Sequence, residues 1–201
     1  SVIVRKSNER CYEELMQYMG NLIIPTGYSV DVITIEGDVG KAAAYNEGMR
    51  QSDARYKVYV DENTRILKRD FLQQMLNVFS QDETIGILGV AGNTVIPTSG
   101  ICRNGQKRMG RLICGDRNES MQWEGGAAPY QEVVSLDDCI LVTQRDILWR
   151  SDLFMEDSFY DTAQCIEFKR QGYKAAVMFQ DDDWVQDRRG KFDYDKISQN
   201  N

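Results

Sequence analysis

The segment from position 41 to position 93 constrains the fold most, because helical and strand patterns alternate in it around one acidic turn. The helical pattern KAAAYNEGMRQS precedes a buried strand, YKVYV, and Asp61-Glu62-Asn63 stands where that strand should end. The segment continues with FLQQMLNVF, which has apolar residues at helical spacing, and with the apolar run TIGILGVAGN. Ligands of open α/β sheets bind beyond the carboxyl ends of the strands. The tripeptide is therefore a candidate ligand site, although a plain surface turn explains its composition as well.

The rest of the chain shows the same alternation. The predicted strands are SVIV, SVDVITIEG, EVVSLDDCILVT and YKAAVMF, and the predicted helices are CYEELMQYMGNL and FYDTAQCIEFKRQ. This pattern predicts an α/β fold with a single doubly wound, mostly parallel sheet and helices on both faces. We expect one domain over positions 1–201, with an irregular middle from Asn93 to Gln131 that includes a long loop at Arg103–Arg117. The chain after Asp187 is a polar tail, whose last part is 191–201. We expect this tail either to close over the site or to be a disordered terminus.

Several blocks of the sequence, taken in order, resemble family 2-type glycosyltransferases. The blocks are YNEGM, YKVYVDENTRI, FLQQMLNVF, IGILGVAG, LDDCILVTQRDILWR and SFYDTAQCIEFKRQGYKAAV, and they cover most of positions 1 to 187. The resemblance implies a fold like that of the nucleotide-diphospho-sugar transferases, the GT-A-like fold. It also implies an enzyme that takes a sugar from a nucleotide-diphosphate sugar donor and passes it to the hydroxyl of a carbohydrate or other acceptor.

Composition narrows the classes of partner and compartment. A net charge of −7 argues against nucleic acid as a partner, since nucleic-acid binders display clustered Lys and Arg. No apolar run approaches the roughly 18 residues that span a bilayer, and no signal peptide is visible. The cysteines number five and lack CxxC spacing. We therefore expect no transmembrane segment and a reducing, cytoplasmic location, with Cys139 and Cys165 as small core residues.

The chain contains no histidine. This absence removes Ser-His-Asp and Cys-His mechanisms and the histidine-containing zinc motifs. Any acid-base chemistry must then be carried out by carboxylates. The glycine-containing stretch EGDVGKA before the second helix does not have the spacing of a phosphate-binding P-loop, so it is interpreted as a turn and a helix start.

The resemblance places a metal site at the acidic tripeptide. Asp61 and Asn63 are the expected ligands of a divalent cation, Mn²⁺ or Mg²⁺, because such ions prefer hard oxygen ligands. Two departures from the family pattern weaken this prediction. Asn63 contributes no charge at the third position, and Gln186 stands where the family carries a histidine after a tryptophan.

Asp161 is the predicted catalytic base. The resembled family places an acidic residue at the start of the corresponding helix, and a carboxylate can accept the proton of an attacking acceptor hydroxyl. The alternative is structural: Ser158 and Asp161 match a capping box, with Ser158 as N-cap and Asp161 at the third helical position. Both roles are compatible with the sequence.

The resemblance also implies which residues bind the nucleotide sugar. Lys41 and Asn46 lie in the region that is near the donor nucleotide in the family. Asp138 occupies the second place of an Asp-Gly pair that meets the sugar or acceptor, although an acidic turn is comparably plausible. The predicted donor-binding set is Ser7, Asn8, Lys41, Asn46, Asp61 and Asp138.

Two other functions compete with sugar transfer. A catalytically degenerate relative that binds a glycan or a partner is suggested by Asn63, Gln186 and Asp138. A metal-dependent nucleotidyl or phosphoryl transferase would also require carboxylates at strand ends.

Overall fold

The computed structural model describes residues 1–37, 39–115, 117–120, 128–154 and 157–189. Its helices are α1 (Glu9–Gly20), α2 (Lys41–Arg50), α3 (Phe71–Gln81) and α4 (Tyr160–Arg170), and a 3-10 turn spans Cys102–Asn104. The strands are β1 (Val2–Lys6), β2 (Val32–Glu36), β3 (Lys57–Asp61), β4 (Thr64–Ile66), β5 (Ile85–Gly89), β6 (Ala91–Asn93), β7 (Arg108–Cys114), β8 (Arg117–Ser120), β9 (Tyr130–Val133), β10 (Ser135–Leu136), β11 (Ile140–Thr143), β12 (Lys174–Met178) and β13 (Val185–Asp187). The predicted tail at 191–201 lies outside the described residues.

The larger sheet confirms the predicted α/β fold. Within the described residues it has seven strands in the order β2-β1-β3-β11-β5-β12-β9. The β1 strand pairs in parallel with β2 and β3, and β12 pairs in parallel with β5, whereas β11 and β9 are antiparallel to their neighbours. The sheet is therefore mixed, and only part of it follows the mostly parallel prediction. Because β11 runs against β3, the loop that precedes β11 lies beside the carboxyl end of β3.

A second sheet corrects two predictions, that of a single sheet and that of a long loop at Arg103–Arg117. Its strands follow the order β10-β6-β7-β13-β4, and β8 pairs with β7. The β7 strand occupies Arg108–Cys114, within the predicted loop, and pairs with β6 and β13. Gly110 allows this close pairing: its φ is +96°, and a Cβ there would lie 2.0 Å from the carbonyl oxygen of Val90.

Helices cover both faces of the larger sheet, as expected. On one face α3 packs with α1, and α3 buries Phe71, Met75 and Phe79, which recur every four residues. Each such side chain stabilises the fold by about 1.5–3 kcal/mol when fully buried. On the other face α2 and α4 pack through Tyr45 and Phe168. The carboxyl end of β3 therefore lies between two helical layers, and Asp61 at this end is buried.

The cysteines and the helices bear on the predictions of small core thiols and of no membrane-spanning segment. Cys11, Cys102, Cys139 and Cys165 are free thiols. Cys139 and Cys165 are buried in the core, as predicted. Among the residues described above, no helix has the length and apolar character needed to cross a bilayer.

The start of α4 contradicts the capping-box alternative for Asp161. Phe159, not Ser158, is the N-cap residue, and no side chain accepts a hydrogen bond there. Phe159 has a φ of 65° and is the one non-glycine residue with positive φ among the described residues. Asp161 is the second residue of α4, and its Oδ1 accepts a hydrogen bond from the backbone N–H of Thr162 at 2.7 Å. The sequence match to a capping box therefore has no structural counterpart.

The backbone of Phe159 supports a stability prediction. A left-handed φ is unfavourable for a residue with a side chain, and the Phe159 ring is 38% exposed, so it contributes little core packing. Phe159→Gly is expected to be more stable than Phe159→Ala by about 1 kcal/mol in the free energy of unfolding, because glycine accepts positive φ. Urea denaturation of the two variants measures this difference. Equal stabilities would show that the residue carries no strain.

Candidate active site

The acidic tripeptide forms the turn after β3, and its two carboxylates face different partners. Asp61 is the last residue of β3, and its Oδ1 accepts hydrogen bonds from the backbone N–H and the amide nitrogen of Asn63 at 2.8 and 2.9 Å. Glu62 turns towards the loop between β1 and α1, where its Oε2 accepts the N–H groups of Ser7 and Asn8 at 2.8 and 2.9 Å. The turn therefore holds the β1–α1 loop and leaves the second oxygen of Asp61 for a cation.

Lys41 supplies that cation and joins two predicted site residues. It is the first residue of α2, and its Nζ lies 2.5 Å from Oδ2 of Asp61 and 2.8 Å from Oδ2 of Asp138. Both predicted carboxylates lie at this end of the sheet because β11, which Asp138 precedes, runs antiparallel to β3. The structure thus brings together Lys41, Asp61 and Asp138, and their contact with a donor stays a prediction.

Arg189, which follows β13, adds a second cation to the same carboxylates. Its two Nη atoms donate to the Asp138 carboxylate at 2.8 and 2.7 Å. Its Nε donates to Asp187 at 2.8 Å, and its Nη1 lies 3.5 Å from Asp61. Asp138 also accepts a hydrogen bond from the hydroxyl of Tyr160 at 2.8 Å. Arg189 therefore ties the end of the described chain to the predicted donor site.

Arg103 is a third cation, and it joins two further carboxylates to these ion pairs. Its guanidinium binds Asp137 through two hydrogen bonds of 2.7 and 3.0 Å and also pairs with Asp187. We refer to these charged side chains as the charge cluster. Its carboxylates are Asp61, Asp137, Asp138 and Asp187, and its cations are Lys41, Arg103 and Arg189.

The pKa shifts of Asp61, Asp138 and Lys41 favour the charged form of each group. Burial alone would raise the pKa of Asp61, but the charges of Lys41 and Arg189 outweigh it and lower that pKa. For Asp138, Arg189 and then Lys41 outweigh burial in the same way, and its pKa lies well below the usual range. Burial disfavours the charged form of Lys41, yet Asp138 and Asp61 raise its pKa. These ion pairs therefore persist at neutral pH.

Asp161 behaves in the opposite way. Burial of its carboxyl, followed by the negative charge of Asp138, raises its pKa to about 8. The side chain is half-buried. A carboxylate with this pKa is a stronger base than an ordinary aspartate, which suits proton abstraction near neutral or mildly basic pH.

Two clefts meet at these residues. The first contains about 530 Å³ of space, part of it open solvent, and is lined in part by Arg5, Ser7, Lys41, Asp61 and Arg189. We call it the donor cleft, because three of the predicted donor-binding residues line it. The second contains about 480 Å³, measured in the same way, and is lined in part by Gly100, Arg103, Asp138, Phe159 and Asp161. We call it the acceptor cleft, because it contains the predicted base. Asp157 lines both. Asp138 bonds to Lys41 of the donor cleft, so the charge cluster separates the two.

Of the other three predicted donor-binding residues, one lines the donor cleft and two make structural hydrogen bonds. Ser7 lines the donor cleft. Asn8 caps α1 by accepting the N–H of Cys11 at 3.1 Å. Asn46 is buried, and its amide binds the backbone of Trp149 through hydrogen bonds of 2.8 and 2.9 Å. Asn46 therefore holds α2 against the segment after β11, which is a structural role, and its predicted contact with a nucleotide stays a prediction.

The described side chains do not fit a divalent ion at Asp61 and Asn63. The amide nitrogen of Asn63 points at Asp61, and Lys41 already occupies the other oxygen. An ion there would stand beside the Lys41 ammonium, and a double charge about 4 Å from a single charge is repelled by roughly 8 kcal/mol at an effective dielectric constant of about 20. Within the described ranges, no group of three or more Asp, Glu or Cys side chains is arranged for a metal.

Gln186 does not supply a metal ligand either. Its Oε1 accepts a hydrogen bond from Arg65 at 3.1 Å, and its Nε2 donates to the carbonyl of Gly115 at 2.8 Å. Both ends of the amide are thus used within the second sheet. The next residue along β13, Asp187, reaches the charge cluster instead.

Sequence reasoning missed Arg189, Arg103 and Asp157. Asp157 pairs with Arg5 at 2.6 Å and accepts the backbone N–H of Lys41 at 2.9 Å, which caps α2 in place of a side chain on Gly40. One signal was available for Arg189, because it lies three residues after Gln186, the position where the resembled family carries a histidine. No local pattern marks Arg103 or Asp157, whose partners lie far away in the chain.

The chain has an α/β fold of the GT-A type, with a charged cleft at the carboxyl end of β3. The chain belongs to a glycosyltransferase-like family, whose model matches residues 1–201. Comparison with curated protein sequences gives no match.

Solved structures agree with this fold at low identity. TarS 1–349 from S. aureus is 13% identical with a TM-score of 0.59, and the match covers 92% of this chain and 59% of TarS 1–349. The same TarS fragment has been solved in complex with UDP-GlcNAc. The mannosyltransferase PcManGT from Pyrobaculum calidifontis, solved in complex with GDP-Man and Mn²⁺, is 15% identical with a TM-score of 0.62, and the match covers 98% of this chain and 58% of the mannosyltransferase. This chain therefore spans a little under three fifths of either relative.

Proposed function

We propose that this protein is a glycosyltransferase that moves a sugar from a nucleotide-diphosphate sugar donor to an acceptor hydroxyl. The observation that carries the proposal is that two clefts adjoin: one is lined by three cations together with three carboxylates, and the other contains a carboxyl group of raised pKa. Family membership supports it, and so do the UDP-GlcNAc and GDP-Man complexes of proteins with this fold.

Each cleft has a defined task in this proposal. The donor cleft binds the nucleoside diphosphate, and Lys41 offsets negative charge on the leaving group as the bond to the sugar breaks. The acceptor hydroxyl enters the acceptor cleft and attacks the anomeric carbon. Its proton passes to Asp161, which must be deprotonated beforehand. The nucleoside diphosphate then leaves with the bonding electrons, and the sugar remains on the acceptor oxygen.

A thermal-shift screen tests donor binding first. Uridine, guanosine and thymidine diphosphate sugars are added with and without Mn²⁺, and a ligand at about 100 times its dissociation constant should stabilise the fold by roughly 2.7 kcal/mol. A donor identified in this way is then incubated with a panel of simple sugars and glycosides. Release of nucleoside diphosphate together with a glycosylated acceptor supports sugar transfer, and failure of every donor to bind contradicts it.

A catalytically degenerate relative that binds a glycan or a partner is the second candidate. The observation that favours it is the saturation of Asp61 and Asp138 by Lys41 and Arg189. Binding without turnover in the assay above would support this candidate. Release of phosphate or pyrophosphate would instead support a nucleotidyl or phosphoryl transferase, for which the described side chains offer no specific arrangement.

A further inference from the structure

We infer that the donor diphosphate binds through fixed cations, chiefly Lys41, without a bridging divalent ion. This inference rests on the proposed function and specifies how its donor cleft works. The mannosyltransferase PcManGT, which has a similar fold, has been solved with GDP-Man and Mn²⁺. In this chain an ammonium group holds the place between the two carboxylates at the end of β3 and before β11.

The position of Lys41 is the first step of the argument. Its Nζ bridges Asp61 and Asp138 at 2.5 and 2.8 Å, as a metal ion would bridge two carboxylates. The side chain is 6% exposed and lines the donor cleft. An ammonium carries three N–H donors, and these carboxylates account for two of them. Nζ also lies 5.5 Å from the centre of the Tyr160 ring. In this inference the third N–H donates to an oxygen of the diphosphate.

The burial of these ion pairs is the second step. The side chains of Lys41 and Asp61 are 6% and 4% exposed, and Nζ contacts the carboxylates of both Asp61 and Asp138. A metal at Asp61 would therefore have to displace a charged lysine into a buried environment, and an unpaired buried charge is strongly unfavourable. Lys41 is fixed in place by the same acids that would otherwise be metal ligands.

Further cations complete the donor cleft. Arg5 binds the Asp157 carboxylate through both Nη atoms, whereas its buried Nε has no hydrogen-bond partner among the described residues. Arg189 also lines this cleft, and its Nη1 lies 3.5 Å from Oδ2 of Asp61. A buried donor without a partner is costly in the absence of a ligand, and an anion in the donor cleft would supply the missing acceptor. An ammonium carries half the charge of Mg²⁺ or Mn²⁺, so we expect weak donor binding that is insensitive to metal.

Calorimetry with the donor identified in the screen tests the inference. The nucleotide sugar is titrated into the wild-type chain in EDTA and then in Mn²⁺. The dissociation constants are expected to agree within about threefold. A donor that binds only when Mn²⁺ is present would overturn the inference while leaving the proposed function intact.

Two substitutions of Lys41 test whether its charge binds the donor. Lys41→Met is expected to weaken donor binding about tenfold or more, through loss of a charge-assisted hydrogen bond, and Lys41→Arg should restore part of it. The matched control is Lys57→Met, because Lys57 is a buried lysine at the opposite end of β3 that pairs with Asp146. Unchanged donor affinity in a folded Lys41→Met protein, or equal loss in both methionine variants, would contradict the assignment.

A titration of Mn²⁺ alone separates this inference from the proposed function. Electron paramagnetic resonance of wild-type protein is expected to show no stoichiometric Mn²⁺ site. A stoichiometric site that disappears in Asp61→Asn would overturn the inference even if no nucleotide sugar bound at all. This measurement and the wild-type calorimetry do not depend on whether the lysine variants fold.

Discussion

Asp161→Asn is expected to lower turnover by about 10²–10⁴-fold, because the amide cannot accept the proton of the acceptor hydroxyl. Donor binding should change little, since Asp161 lines the acceptor cleft and not the donor cleft. Released nucleoside diphosphate measures turnover, and calorimetry measures donor binding. The matched control is Asp152→Asn, in which an exposed carboxylate paired with Arg150 is removed from the same part of the chain. Wild-type turnover in Asp161→Asn would exclude Asp161 as the base.

The raised pKa of Asp161 sets the pH dependence of this reaction. Because the pKa is about 8, turnover should rise about tenfold per pH unit below that value and level off above it. The remaining turnover of Asp161→Asn should lack this rise. A wild-type profile that is flat between pH 6 and 9, a window of about three units around the pKa, would contradict a base at this position.

Protein stability offers a second readout for Asp161. The folded state holds this proton at pH values where the unfolded chain has lost it. The stability that the Asp161 proton contributes is therefore fully present below the unfolded pKa of 3.8 and is lost as pH rises towards about 8. An asparagine is neutral at every pH. Asp161→Asn is therefore expected to exceed wild type in stability by up to a few kcal/mol at pH 9, roughly one unit above the folded pKa, and by little at pH 4.

Asp138→Asn is expected to have the largest effect on stability. Asp138 is the common partner of Lys41, Arg189 and Tyr160. Its neutralisation leaves two buried cations with fewer counter-charges, and breaking a buried ion pair in this way costs about 3–5 kcal/mol. Chemical denaturation measures the loss. Asp146→Asn is the control, because Asp146 also pairs with a buried lysine but is itself 52% exposed.

Asp138→Asn should also alter the pH dependence of turnover. After burial, the charge of Asp138 is the largest cause of the raised pKa of Asp161. Asp138→Asn should therefore move the rise in turnover to lower pH, provided that the folded fraction is corrected for. An unmoved profile would show that Asp138 does not act on the base electrostatically.

Local sequence patterns were sufficient to predict the helices and strands around the site. The periodic apolar residues of α3 and the β-branched and aromatic residues of β3 determine their own secondary structure. Resemblance to the family then identified Lys41, Asp61 and Asp138, which the structure brings together.

Long-range pairing was beyond the reach of the sequence. The β7 strand lies in a basic, glycine-containing segment without clear alternation, and it forms because β6 and β13 pair with it. Arg103 meets Asp187 across 84 positions, and Asp157 caps α2 across 116 positions. Such contacts depend on how the two sheets come together, so no short motif predicts them.

The charge cluster restricts how this protein can diverge. Lys41 and Asp138 each contact more than one oppositely charged partner, so the loss of either leaves a buried charge uncompensated. Interacting substitutions of this kind are not additive. Homologous chains that lack Lys41 are therefore expected to have changed Asp61 or Asp138 as well, or to have gained another positive charge nearby. Covariation among these positions, not invariance of each one, would be the evolutionary record of the cluster.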